Sequence, residues 1–305
     1  MSRPPSLALP PHARTSRLET ARGSFAVLDC PPPPGTALSA TVLMVPGFIG
    51  SKEDFLPLLG PLSAAGYRAV AVDGRGQYET GGPDDESAYA QAELAADVVA
   101  QTVAVGGGHE AVHLLGHSMG GLTARAAVLD AWPGMGTGAR PWASLTLMSS
   151  GPAAIDKGQR DRIRLLVDFL PVLGKDVVWK EMQRREERPE APPEVAEFLH
   201  HRWMTTMDAQ LLTTGRQLLS ETDRVAELAA LQLPVLVLSG TSDYAWPVPW
   251  QDDMARRLAA RRVVIPGGEH SPNVEAPAAT ARALVSFWRS VQRSPCPVHP
   301  MNYGA

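Results

Sequence analysis

The sequence predicts an α/β protein: a mostly parallel central sheet flanked by helices on both faces. Two patterns carry that prediction. Short apolar runs alternate with longer segments of helical periodicity along most of the chain, as strand–helix–strand crossovers in a parallel sheet require. One of those runs, Ala111-Val112-His113-Leu114-Leu115, leads straight into Gly116-His117-Ser118-Met119-Gly120 and then a small-residue stretch from Leu122 to Leu129. A serine on a sharp strand-to-helix turn has its hydroxyl pushed outward, and flanking glycines remove the side chains that would collide there. With 305 residues the chain can bury a sizeable core without cross-links.

The elements follow in order. Pro4, Pro5, Pro10 and Pro11 mark residues 1–17 as a flexible N-terminal arm, with structure beginning near Leu18. Leu18 to Leu28 reads as an opening hairpin strand and Pro31 to Gly35 as a turn. Ala40 to Val45 is an apolar, β-rich strand, Lys52 to Ala65 an amphipathic helix, and Tyr67 to Val72 a second strand. A helix from about Glu86 to Val105, a strand from Ala111 to Leu115, a helix from Gly120 to Asp130 and a strand from Ala143 to Met148 continue the alternation. After a gap come strand Val235 to Ser239, helix Pro249 to Ala260, strand Arg262 to Ile265 and helix Val274 to Arg293. Residues 294–305, rich in proline, read as a flexible tail.

The gap, from Gly151 to about Asp223, contains no strand-like run. It shows helical periodicities, Ile163, Leu166, Phe169 and Leu170, then Val195, Phe198, Leu199 and Trp203, separated by Arg184 to Arg188 and by Pro192-Pro193. A helical insertion between two strands, placed at the active-site edge, forms a lid. Residues 152–223 are therefore expected to be a helical cap over a core of residues 18–151 and 224–293. Trp179, Phe198, Trp203, Met204 and Met207 are its candidate substrate contacts, alongside their role in the cap's own core.

Composition excludes several functions. A net charge of −4, with 20% charged residues of both signs interspersed, builds no field that gathers nucleic acid. The start of the chain has no apolar segment of a secretory signal, and no stretch approaches a membrane span, so a cytoplasmic protein is expected. The two cysteines, Cys30 and Cys296, lack metal or redox spacing and read as free thiols in loops.

A serine hydroxyl needs a base to take its proton and a third group to orient that base. Histidine suits the task. Of the eight, His12 and His299 lie in the arms, His109 and His113 at or in a strand, His200 and His201 in the cap, and His117 points along the elbow. His270 remains, on the loop after the last strand. Asp243, at the end of Ser239-Gly240-Thr241-Ser242-Asp243, supplies a carboxylate at another strand end. The developing oxyanion needs prearranged donors, and the N–H groups of Met119 and of Phe48, in Pro46-Gly47-Phe48-Ile49-Gly50, are the candidates.

On these residues the chain resembles the α/β-hydrolase superfamily, in the serine-nucleophile branch with a helical cap. The likeness runs from about residue 18 to 293 through Pro46-Gly47-Phe48, Asp73-Gly74-Arg75-Gly76, Gly116 to Gly120, Gly240 to Asp243 and Gly268-Glu269-His270. It implies Ser118 as nucleophile, His270 as base and Asp243 as acid, with Asp156 in reserve, and Arg75 as a loop-packing residue. Pro46-Gly47 stands where the family often has His-Gly. The implied activity is hydrolysis of a carboxylic ester with a small-molecule, apolar acyl portion, through an acyl-enzyme and with no cofactor or metal. Thioester hydrolysis, acyl transfer and carbon–carbon bond hydrolysis are the alternatives on the same fold, followed by a non-catalytic ligand-binding protein. Ser118 argues against the dehalogenase and epoxide-opening branches, which use aspartate at the elbow.

Other classes fit poorly. Gly116 to Gly121 lacks the G-x-G-x-x-G spacing of a dinucleotide site, Gly106-Gly107-Gly108 has no following Lys-Ser/Thr, and His109-Glu110-Ala111-Val112-His113, although it spells H-E-x-x-H, reads as the entrance to a strand and not as the helix on which that motif brings two imidazoles to one face.

Overall fold

The computed structural model describes residues 2–107, 111–131, 141–185 and 191–293. An antiparallel hairpin, β1 (Arg14–Thr20) and β2 (Gly23–Cys30), opens the chain and precedes β3 (Ala40–Val45). A 3-10 turn at Lys52–Phe55 runs into α1 (Leu56–Ala64), followed by β4 (Tyr67–Val72), α2 (Gln91–Val105), β5 (Val112–His117), α3 (Met119–Ala131) and β6 (Trp142–Met148). Four helices follow: α4 (Lys157–Arg184), α5 (Pro193–Thr205), α6 (Asp208–Ser220) and α7 (Val225–Ala230). The core then resumes with β7 (Val235–Gly240), α8 (Val248–Arg257), β8 (Arg261–Ile265), the short α9 (Pro272–Glu275) and α10 (Pro277–Arg293).

The eight strands form one sheet in the order β1-β2-β4-β3-β5-β6-β7-β8, parallel from β4 through β8. Alternation along each strand decides which helices it meets. Leu43, Val45, Leu114, Leu145, Leu147, Val235 and Val237 face one core with α2, α3, α7 and α8. Val42, Met44, Leu115, Met148, Leu236 and Leu238 face the other, with α1 and α10. The chain runs from β3 outward to β4 and then returns to the far side of β3 with β5. That reversal opens a crevice at the carboxyl ends of β3 and β5, where open α/β sheets hold their ligands.

Three expectations are corrected. The first residues are not a free arm: β1 begins at Arg14, and Ser2 is buried, its hydroxyl 2.9 Å from Ser271 Oγ. Proline marks extended chain there, which packs as readily as it wanders. Leu18 to Leu28 is not one strand, because the hairpin turns between Thr20 and Gly23. Cys30 is not in a loop; it closes β2, fully buried among Leu28, Val42 and Phe55. Cys296, His109, His299 and residues 294–305 lie outside the described residues.

α4, α5 and α6 are all helical, as the sequence led one to expect, and α4 bends at Gly174 (φ 75°). A buried ion pair ties this insertion to the core. Arg202 of α5 donates through Nη1 to Asp54 Oδ1 at 2.7 Å, both side chains excluded from solvent, and through Nη2 to Ser2 O at 3.2 Å. Removing one partner of such a pair leaves an uncompensated buried charge. Arg202→Ala is therefore expected to lower the unfolding free energy by about 3–5 kcal/mol, as measured by urea denaturation.

Candidate active site

β5 ends at His117 and α3 begins at Met119, so Ser118 alone makes the turn, at φ 55°. Only backbone approaching backbone allows so tight a bend. A Cβ on Gly116 would run into the Gly120 carbonyl, and one on Gly120 into the carbonyls of Val45 and Pro46. The glycines thus press the start of α3 against the end of β3. Ile49, Tyr78 and Ser149, also at positive φ, lie in the loops that follow β3, β4 and β6. Left-handed, non-glycine backbone clustered along one rim is the kind of strain that functional sites retain.

Two other strand ends bring their side chains to this rim. His270 Nε2 lies 3.0 Å from Ser118 Oγ, and His270 Nδ1 lies 2.9 Å from Asp243 Oδ1. A carboxylate accepts, so Nδ1 carries the proton and Nε2 turns a lone pair toward the serine hydroxyl. Asp243 Oδ1 also accepts from the backbone N–H of Ala245 (2.8 Å) and Trp246 (3.1 Å), and Oδ2 accepts from Gln251 Nε2 (2.9 Å). All three side chains are buried. Such an arrangement can draw the hydroxyl proton onto the imidazole and hold the resulting charge beside a fixed carboxylate.

Met119 is the first residue of α3, so its N–H is among the helix's free donors, at the positive end of the dipole. Phe48 sits across the crevice in the loop after β3. Its ring packs against two apolar clusters: Met119, Leu122, Ile155, Leu218, Ala245 and Trp246 on one side, and Leu166, Val167, Trp203, Leu211 and Leu212 of the helical insertion with Ile49 on the other.

The five cap side chains singled out from the sequence have scattered positions. Trp203 is fully buried in the cluster of the helical insertion, with Nε1 donating to Lys175 O, and Trp179 and Met204 pack against that cluster. Phe198 packs with Val195 and Leu199, edge-on to Tyr78. Met207 lies with Tyr89 and Leu94. Asp156 caps α4, accepting from Gly158 N at 2.9 Å, while His270 takes Asp243. Arg75 pairs with Asp97, in keeping with loop packing.

Sequence reasoning missed two neighbours, Gln251 and Tyr244, and placed a third, His117, along the elbow without its partner. Gln251 is a polar residue on the buried side of α8, three and four positions before Met254 and Ala255, and that misfit was a readable signal. Tyr244 lays its ring 4.6 Å from the His270 ring. His117 Nε2 bonds the His270 backbone carbonyl at 2.8 Å; since a carbonyl only accepts, Nε2 is the protonated nitrogen. Burial pushes the His117 pKa down to about 3, with nearby His270 adding to the shift, so the ring is neutral.

A family model described as the alpha/beta hydrolase family matches residues 42–283, spanning the loop after β3, the elbow and the His270 loop. The chain belongs to the α/β hydrolase family. A protein of Variovorax paradoxus (strain S110) bearing the name of a carbamate hydrolase, RutD, is 29% identical over 267 residues, covering 83% of this chain and 93% of its own. Among solved structures, a thermophilic esterase from Thermogutta terrifontis superposes with a TM-score of 0.66 at 21% identity, covering 92% of this chain and 99% of that one. The enol-lactonase from Burkholderia xenovorans LB400 gives a TM-score of 0.70 at 19% identity, over 90% of this chain and all of that one (100%). These two share the fold. The protein is an enzyme, a hydrolase, and no helix among the described residues is long and apolar enough to cross a membrane.

Burial of His117, together with that of His113, whose pKa it pushes down to about 4, is expected to make the hydrolase acid-sensitive. The folded pKa of His117, about 3, lies below the ordinary 6.5, so the unfolded chain binds a proton that the native state refuses. The penalty is absent above pH 6.5, grows as pH falls and is complete below about 3. At full slope it amounts to about 1.4 kcal/mol per pH unit. His117→Gln, which keeps a donor for the His270 carbonyl without a titrating ring, is expected to flatten the fall in unfolding free energy between pH 6 and 4, measured by denaturant titration at each pH.

Proposed function

We propose that the enzyme cleaves a carboxylic ester through an acyl-enzyme, with Ser118 as nucleophile, His270 as general base and acid, and Asp243 orienting His270. The Ser118–His270–Asp243 relay, 3.0 and 2.9 Å in its two links, is the observation that carries this reading. His270 Nε2 takes the hydroxyl proton as Oγ attacks the carbonyl carbon, and the carbonyl oxygen becomes an oxyanion facing the N–H groups of Phe48 and Met119. Collapse of the tetrahedral intermediate expels the alcohol, which takes the proton from Nε2. Water then attacks the acyl-enzyme, giving its proton to the same nitrogen, and Ser118 recovers it as the acid leaves.

An apolar acyl portion suits the surroundings of Ser118. Met119, Leu122, Trp246 and Phe48 form an apolar wall beside it, and Ile163 of α4 closes that wall from the insertion. Residues 152–223 act in this reading as a lid that excludes water while the charged intermediate lasts. Carbamate hydrolysis is the second reading. It is favoured by the likeness to the carbamate hydrolase over 83% of this chain, and the same relay attacks a carbamate carbonyl equally well.

Fluorophosphonate is expected to modify Ser118, with labelling abolished in Ser118→Ala and greatly slowed in His270→Ala; mass-spectrometric mapping of the label to another serine sinks the proposal. p-Nitrophenyl esters of increasing acyl length, assayed beside simple carbamates, separate the two readings by their kcat/KM. Gln251→Leu, which strips one donor from Asp243 and frees the carboxylate to turn, is expected to lower ester turnover by about 10- to 100-fold with little change in KM.

A further inference from the structure

Gln77, in the loop after β4, is a buried polar side chain that the relay does not use. Its amide bridges two loops: Nε2 donates to Gly47 O at 2.9 Å, and Oε1 accepts from Gly74 N at 2.9 Å. A backbone carbonyl can only accept and an N–H can only donate, so these partners determine which end of the amide is which. Gly47 O takes a second bond from Gly50 N at 3.0 Å. Gly47 itself lies against the nucleophile, since a Cβ placed on it would stand 3.0 Å from Ser118 Cβ.

In a trans peptide the carbonyl and the next N–H point to opposite sides, and the described residues contain no cis peptide. Drawing Gly47 O toward Gln77 therefore turns Phe48 N–H away from Gln77. We propose that Gln77 is the positioning residue of the oxyanion loop, setting the orientation of the Gly47–Phe48 peptide so that its N–H is in place before substrate arrives. Glycine makes such a clamp necessary. Without a Cβ, the peptide at Gly47 is free to rotate, and the two bonds to its carbonyl remove that freedom. A donor fixed in advance needs no reorganisation when charge develops.

The clamp is itself held by the cap. Gln77 N bonds Gly74 O at 3.0 Å and Thr80 N bonds Gln77 O at 3.0 Å, closing the loop on itself. From the insertion, Met207 N donates to Gly76 O at 2.8 Å and Thr206 Oγ1 accepts from Tyr78 N at 3.3 Å. Through Gln77 the insertion is thus joined to the oxyanion loop as well as to the wall beside Ser118.

This role deepens the ester-hydrolysis reading and rests on it, so its test includes a measurement that needs no substrate. Gln77→Glu keeps the bond from Gly74 N but turns an acceptor toward Gly47 O; Gln77→Met keeps length and removes both bonds. Crystal structures of the variants are expected to show the Gly47–Phe48 peptide rotated. Ester kcat is expected to fall by about 100-fold in both variants, the loss typical of one oxyanion donor. KM should stay within about threefold, and affinity for a trifluoromethyl ketone, which forms an oxyanion on attack by Ser118, should fall by the same factor as kcat. An unmoved peptide overturns the proposal, as does a wild-type kcat or a loss of kcat with ketone affinity intact. Should Gln77→Glu fail to fold, Gln77→Met decides the matter alone. Absent ester turnover in the wild type would overturn the ester-hydrolysis reading, while the peptide orientation still judges the clamp.

Discussion

The close approach of β5–α3 to the end of β3 is the constraint on which the rest of the site depends. Ser118 can occupy a left-handed turn only because Gly116 and Gly120 let backbone meet backbone, and only there does its hydroxyl face the loops that follow the neighbouring strands. A β-carbon on Gly120 would push α3 away from Val45 and Pro46, and one on Gly116 would push it off the end of β5. The Ser118 hydroxyl and the N–H of Met119 would then both leave the crevice. Geometry at this one bend thus decides whether the hydroxyl has partners at all.

Polar residues behind the rim hold what the bend creates. Gln251 and two backbone N–H groups surround Asp243, His117 grips the carbonyl of His270, and Gln77 grips that of Gly47. Each satisfies a buried polar group and restricts one rotation, so satisfaction of hydrogen bonds and preorganisation are the same event here. The insertion joins this framework through Arg202 and Asp54, a pair that dry surroundings make costly to break, and through Thr206 and Met207 at the loop bearing Gln77.

Much of this was readable in the chain. Ala40–Val45 and Tyr67–Val72 are strands with the boundaries their apolar runs mark, because strands buried on both faces are apolar at nearly every position. Ser118, Asp243 and His270 were legible because each follows such a run with a turn-forming segment. Gln77 went unnoticed because a lone glutamine in a loop has no pattern, and its meaning lies in a carbonyl thirty positions earlier. Phe198 and Met207 looked like substrate contacts since helical spacing tells which face is apolar and nothing of what covers it. Phe198 meets Tyr78, and Met207 meets Tyr89 and Leu94.

The sequence by itself determined the alternation of strands and helices, the bend at Ser118 and the placing of Ser118, Asp243 and His270 each just past a strand, because these depend on local periodicity and on the special torsions of glycine. Only the tertiary structure decided which polar groups face one another, that Ser2 lies against Ser271, and that Arg202 finds Asp54. Those pairings join residues far apart in the chain. Hydrogen bonds and ion pairs act over a few ångströms, and no local pattern encodes which distant segment will come within that range.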